Sequence, residues 1–230
     1  PLEELSNLVL RNKCDIGFAF DADVDRLVIM NEKGVKIQPD FSLLAGIKYI
    51  EQKKGLKKAA ISIDSSLSII QYLNKIQCKI ITTKVGEGNV LDEIINEKCE
   101  LGGEGSSGGF IYPEFNLCRD GILLALMTTY LVKKFNSLNN IFSDIEKFNQ
   151  NRTKIKTDPK NFKIIKEYFS AKKGIILIDG IKIKKTNESW VLIRPSNTEK
   201  CIRLSAEAKS KNEVNKLIEE YVQLINKLLN

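Results

Sequence analysis

The sequence predicts a mixed α/β chain. A partial α/β domain comes first, then a complete three-layer-like α/β domain, then an α+β domain with an antiparallel sheet and two helices. Three observations carry that expectation. Short apolar runs alternate with helix-length segments through the first 135 residues, the pattern of βαβ units. The composition then turns rich in Asn, Ser and Lys between Asn136 and Lys156, which marks a boundary near Phe148–Arg152. Beyond it, four short strand-like runs joined by tight turns sit between two amphipathic helices.

The elements follow in order. Leu2–Leu10 has helical spacing, and the apolar run Ile16–Phe20 reads as a buried strand that breaks off at Asp21. Leu27–Met30 resumes as a strand and Asn31–Gly34 is a turn. Strands at Ala59–Ile63 and Cys78–Thr82 alternate with helices at Ser66–Asn74 and Val90–Glu97. Two further strands, Glu100–Glu104 and Gly109–Tyr112, flank a glycine-rich loop. Gly121–Lys134 is apolar on nearly all faces, which predicts a buried helix. In the last part, Phe162–Phe169 is helical, and Ile175–Ile178, Ile181–Lys184, Trp190–Ile193 and Cys201–Ser205 are strands. Val214, Leu217, Ile218, Tyr221, Val222, Ile225, Leu228 and Leu229 mark one face of a closing helix.

Composition narrows the chemistry. The 230 residues are 43% hydrophobic and 28% charged, ordinary for a globular chain. Histidine is absent, which excludes His-based triads, His general bases and His-ligated zinc. The five cysteines, Cys14, Cys78, Cys99, Cys118 and Cys201, are scattered without a CxxC pair, as expected of reduced thiols in the cytoplasm. The longest apolar stretch, Ile122–Val132, is far short of the ~20 residues of a membrane helix, and no signal peptide opens the chain. The first residue is Pro1 rather than Met, so the chain is expected to be a piece or a processed product of something longer. The net charge of +7 is concentrated in residues 151–230, where 18 basic groups face 9 acidic ones. With few aromatics among them, these lysines read as a solvated surface or as a domain that meets a small phosphorylated ligand, rather than as a nucleic-acid interface.

Three loops carry potential chemistry. In Asp21-Ala22-Asp23-Val24-Asp25-Arg26, three carboxylates repel one another directly after a buried strand. A hard divalent cation relieves that repulsion, whether the chain is extended or turns to converge them. Arg26 adds a fixed cation suited to phosphate. Asp21, Asp23, Asp25 and Glu32 also match the spacing of a calcium EF-hand, but Arg26 stands where such a loop needs glycine and the flanks read as strands. In Gly102–Gly109, glycines allow close backbone approach, Glu104 can accept from two neighbouring hydroxyls as sugar sites require, and Ser106 and Ser107 add hydroxyls. In Arg194–Glu199, the Arg194 fork, backbone N–H groups and the Ser196 and Thr198 hydroxyls suit a phosphate. Asn197 tolerates the left-handed turn of an anion nest, and Arg203 on the next strand can point the same way.

In this order the loops resemble those of the α-D-phosphohexomutase superfamily, the phosphomannomutases, phosphoglucomutases and phosphoglucosamine mutases. Asp21–Arg26 is similar to its metal loop D-G-D-x-D-R, Gly103–Ser107 to its sugar loop, and Arg194–Glu199 to its phosphate loop R-P-S-[GN]-T-E. The Pro113–Gly121 segment, Lys84-Val85-Gly86 and Asp179-Gly180 also resemble family turns. The resemblance implies the tail of a second domain at 1–38, a third domain at 39–149 and a fourth at 150–230. It also implies a missing first domain holding the phosphoserine. By the same resemblance, Asp21, Asp23 and Asp25 hold Mg²⁺ and Arg26 stabilises charge in catalysis. Glu104 and Ser106 bind sugar, while Arg194, Ser196, Asn197, Thr198 and Arg203 hold the non-reacting phosphate. A hexose 1,6-bisphosphate is the implied intermediate. Ala22, Val24 and Lys200 depart from the family pattern, the first two stiffening the metal loop. The expected partners are a phosphorylated hexose and either an N-terminal half or a second copy of the chain; neither nucleic acid nor membrane is expected. The alternative is a non-catalytic module that binds a sugar phosphate.

Overall fold

The computed structural model describes residues 2–170, 172, 174–196 and 199–229, which fall into two compact units, 1–146 and 147–230. In the first, helix α1 (Leu2–Asn12) lies against a two-stranded antiparallel sheet of β1 (Ile16–Phe20) and β2 (Leu27–Asn31). Next come α2 (Pro39–Lys54), β3 (Lys58–Ser62), α3 (Leu67–Lys75), β4 (Lys79–Thr83), α4 (Glu87–Glu97), β5 (Leu101–Glu104) and β6 (Gly109–Ile111). Helices α5 (Gly121–Phe135) and α6 (Leu138–Ile141) complete the unit. The sheet order is β4-β3-β5-β6, parallel except for β6.

Strand periodicity divides this sheet between two cores. Ala59 and Ile61 join the core shared with α2, α3 and α5, whereas Ala60 joins Val90 and Ile94 of α4 on the opposite face. The result is three layers, as expected. The loops after β3, β4 and β5 emerge at the carboxyl edge of the parallel strands, where open α/β sheets gather their ligand-binding residues.

Two elements differ from expectation. Helix α2 gave no amphipathic signal because every residue of its central stretch, Asp40 to Lys48, is buried. Helix α5 is buried on only one side: Leu124, Met127, Thr128 and Leu131 are enclosed, whereas Ile122, Leu126 and Tyr130 are exposed. Their spacing of four places those three on a single stripe.

Buried Lys48 places its Nζ 2.5 Å from Asp144, and Lys75 reaches the other oxygen at 3.1 Å. Partial desolvation pushes the Asp144 carboxyl up, but the hydrogen bonds from Lys48 and Lys75 outweigh it and hold the group below its usual range. The folded pKa is therefore depressed. Its stabilisation is present above the unfolded value of about 4 and is lost as pH falls through the folded pKa. Urea titrations of wild type and Asp144→Asn should show a stability gap at pH 6 that closes as the pH falls through and below the ordinary carboxylate range. A gap of constant size would contradict this pairing.

The second unit begins with β7 (Asn149–Lys156), a strand within the Asn-, Ser- and Lys-rich stretch that was expected only to mark the domain boundary. It pairs in full with the last strand and buries only Ile155. Helix α7 (Phe162–Ser170), β8 (Ile175–Ile176), β9 (Ile181–Thr186), β10 (Ser189–Pro195), β11 (Cys201–Ala208) and α8 (Lys211–Leu229) follow. The antiparallel order is β7-β11-β10-β9-β8. Ile155, Ile183, Val191, Ile193, Ile202 and Leu204 face α7 and α8, burying Val214, Leu217, Tyr221 and Ile225. The alternate positions form a polar row: Trp190, Glu207 and Gln150 are direct cross-strand neighbours. Fully buried Glu207 accepts from Trp190 Nε1 at 2.7 Å and from Gln150 Nε2 at 3.1 Å.

Candidate active site

The Asp21–Arg26 loop turns rather than extending. Val24 N–H donates to the Asp21 carbonyl at 3.1 Å, and Val24 takes a left-handed φ of 60°. A β-branched residue in that region is strained, by about 1–2 kcal/mol. Arg26 Nε lies 2.5 Å from Asp21 Oδ2 and 3.5 Å from Asp25 Oδ1. Desolvation pushes the Asp21 carboxyl up, yet the Arg26 side-chain and backbone hydrogen bonds hold it below its ordinary value. The same hydrogen bond raises Arg26, which stays cationic throughout.

Glu104 ends β5 and is buried. Its Oε1 accepts the Gly86 N–H at 2.7 Å and its Oε2 accepts from Arg119 Nη1 at 3.1 Å. Desolvation raises its pKa, against the pull of those two donors. A carboxylate has about four acceptor positions, so capacity for hydroxyl donors remains. Gly105 N–H donates to Ser65 Oγ at 2.9 Å, which fixes the loop to the end of β3. Ser65 in turn lies 3.0 Å from Ser62 Oγ, and Asp64 accepts from Ser62 at 2.7 Å.

Two residues that sequence reasoning gave no role, Arg119 and Glu87, join these loops. Arg119 precedes Asp120, the cap of α5, whose side chain accepts the Leu123 N–H at 2.8 Å. Its guanidinium pairs with Asp25 through Nη2 and with Glu104 through Nη1, while its backbone N–H donates to Glu87 Oε1 at 2.8 Å. Asp25 and Arg119 are far apart in the chain, and nothing local in the sequence announces their contact. The Asp21–Arg26 loop and the glycine-rich loop also share a cleft of about 410 Å³, lined by Asp21, Arg26, Lys36, Ser106 and Ser107 among others. Cations beside hydroxyls in a concave site suit an anionic polyol.

In the second unit, Arg194 Nη2 pairs with Asp179 at 2.7 Å, and its buried Nε has no hydrogen-bond partner. Ser196 is buried, and its Oγ accepts the Glu199 N–H at 3.2 Å. Asn197 and Thr198 lie outside the described residues. Arg194, Arg203 and Lys154 are direct neighbours across β10, β11 and β7. Like charges so placed repel, and anions must offset them. Glu199 does so for Lys154 at 2.6 Å and for Arg203 at 3.5 Å.

Two models of one family cover most of the chain. "Phosphoglucomutase/phosphomannomutase, alpha/beta/alpha domain III" matches residues 38–148, and the family's C-terminal domain matches 133–224. This chain belongs to the phosphohexomutase family. Its relatives include the phosphoglucosamine mutase of Methanocaldococcus jannaschii, 34% identical over 93% of this chain and 49% of that protein. The phosphoglucosamine mutase of Clostridium acetobutylicum is also 34% identical, over 99% of this chain and 51% of that protein. The chain thus spans about half the length of the curated relatives it matches. A phosphoglucomutase/phosphomannomutase family protein from Burkholderia thailandensis has the same fold, with a TM-score of 0.82 at 18% identity over 99% of this chain and 50% of that one. The N-acetylphosphoglucosamine mutase of Aspergillus fumigatus, solved with GlcNAc-6P and magnesium, gives 0.64 at 14% identity over 92% and 48%.

Among the described residues no group of three or more acidic or cysteine side chains is gathered to hold a metal ion. The donor set nonetheless fits a hard cation: three carboxylates share one loop, and Asp25 Oδ1 is buried without a hydrogen-bond partner. Two of the buried thiols are poor nucleophiles, since burial pushes Cys78 up to about 12 and Cys99 up to about 11.

Proposed function

We propose that this chain is the C-terminal portion of a Mg²⁺-dependent phosphohexomutase. The complete enzyme interconverts hexose 1-phosphate and hexose 6-phosphate through a phosphoserine supplied by residues outside this chain. The observation that carries the reading is the cleft in which Asp21 and Arg26 meet Ser106 and Ser107. It is supported by the phosphoglucosamine mutase relatives and by the Aspergillus enzyme solved with a sugar phosphate and magnesium. Residues 1–38 are read as the tail of the second domain, 39–149 as the third and 150–230 as the fourth.

Asp21, Asp23 and Asp25 would hold the Mg²⁺, whose chemistry is to offset charge on a transferring phosphoryl group. Arg26 adds a second, permanent cation beside it. Glu104 and Ser106 orient the sugar by its hydroxyls. Arg194, Ser196, Asn197, Thr198 and Arg203 bind the phosphate that does not react. Such a division suits phosphoryl transfer, where positioning and preorganised charge provide most of the rate. A hexose 1,6-bisphosphate is the intermediate that turns over in the cleft. We place the enzyme in the cytoplasm; the five described cysteines are unpaired, and no helix among the described residues is long and apolar enough to cross a membrane. The test is a coupled mutase assay of this chain alone and mixed with an N-terminal half bearing the phosphoserine loop.

A further inference from the structure

We propose that Arg119 is a positioning residue that couples the cation loop to the sugar loop. The inference rests on reading Asp21–Arg26 as a cation loop. One guanidinium, only 20% exposed, meets carboxylates from three separate segments: Asp25 through Nη2, Glu104 through Nη1, and Glu87, whose Oε2 is 3.4 Å from Nε. The geometry around it is built for this stem. A Cβ on Gly109 would stand 2.6 Å from Arg119 Cδ, so any larger residue at 109 would push the side chain aside. Position 119 is further fixed by its backbone N–H on Glu87 and by its bridge to Ile111.

The consequence follows from how Asp25 divides its two oxygens. Oδ2 is held by Arg119, while Oδ1 is buried, makes no hydrogen bond and is approached only at ion-pair distance, by Arg26 Nε at 3.5 Å. A cation taken up at Oδ1 therefore shares one carboxylate with the guanidinium. The two positive charges repel at close range, and the pull of Asp25 on Arg119 falls. Glu87 and Glu104 then hold the fork more fully. Glu104 also accepts the Gly86 N–H at 2.7 Å, so this redistribution reaches the turn between β4 and α4. Cation binding and the order of the sugar loop are thus linked through one side chain.

The test uses Mn²⁺ as the probe, with binding to the whole chain followed by calorimetry and amide exchange read at Gly86. In wild type, saturating Mn²⁺ should slow Gly86 exchange at least twofold. Arg119→Met removes one positive charge beside Asp25 and should tighten Mn²⁺ binding roughly tenfold, an effect that shrinks with added salt. It should also abolish the response at Gly86. Mere structural damage would weaken binding rather than strengthen it. Arg119→Lys keeps the charge but loses the fork; its Mn²⁺ affinity should stay within threefold of wild type while the Gly86 response disappears. This second variant decides the matter if Arg119→Met does not fold. Unchanged or weaker Mn²⁺ binding in a folded Arg119→Met, or a retained Gly86 response in either variant, would overturn the coupling. Asp23→Asn would still abolish binding in that case, leaving the cation loop intact as a reading. Absence of Mn²⁺ binding to wild type would overturn both.

Discussion

Gly105→Ala is expected to lower the stability of residues 1–146 by about 3 kcal/mol, near the upper end for overpacking in a closed site. A Cβ at this position would stand 2.1 Å from Asp40 Oδ1 and 2.9 Å from Ser65 Oγ. Neither atom can yield freely. Asp40 is buried and accepts the Ser66 N–H at 2.7 Å, which anchors the start of α3. Ser65 is buried and accepts the Gly105 N–H itself. Relief must come from moving the backbone of the glycine-rich loop, which carries Glu104 and Ser106 with it. A melting temperature roughly 10 °C below wild type is expected for a unit of this size. A shift of under 2 °C would mean that the loop does not pack against Asp40 as described.

Trp190→Ala is expected to cost the second unit about 4 kcal/mol through the cavity alone. The indole is almost wholly enclosed and donates to fully buried Glu207. For a unit this small, that loss approaches the whole stability of a typical domain. Trp190→Phe retains most of the volume but removes the donor from one Glu207 oxygen, at about 1–3 kcal/mol. Urea unfolding followed by far-ultraviolet circular dichroism gives both values; fluorescence cannot, because Trp190 is the single tryptophan. Equal costs for the two variants would show that the hydrogen bond, not the packing, dominates. A cost under 1 kcal/mol for Trp190→Ala would contradict the enclosed row of Trp190, Glu207 and Gln150.

Local pattern made much of this fold legible. The break at Asp21 after an apolar strand, the glycines around Glu104 and the apolar run Trp190–Ile193 in β10 are all properties of adjacent residues. What escaped depends on contacts distant in sequence. Helix α2 is enclosed on most sides, which erases the polar face by which a helix is recognised. Strand β7 has the composition of a linker and becomes a strand because β11 offers it a full register. Helix α5 was expected to be buried all round, but Ile122, Leu126 and Tyr130 lie in the open, since α2 covers only one of its faces.

The candidate site divides in the same way. The candidate residues of each loop stand out by their own spacing, and one cleft is lined by Asp21, Arg26 and Ser106 together. Arg119 and Glu87 were given no role because their task is to connect loops that the sequence keeps apart. Glu104 and Arg194 were read as free for a ligand. Each already holds a protein partner, Arg119 and Asp179 respectively, so a ligand must share them or displace those partners.

The most direct measurement is the coupled mutase assay with hexose 1-phosphates, Mg²⁺ and a hexose bisphosphate primer. The chain alone should show negligible turnover. Activity should appear on mixing with a verified, phosphorylated N-terminal half, and should be lost when the added chain carries Asp23→Asn or Arg194→Ala. Turnover by the chain alone would place a nucleophile within these 230 residues and contradict the account. Continued inactivity in the mixture, with binding of the sugar phosphate intact, would make the chain a ligand-binding module rather than half of a catalyst.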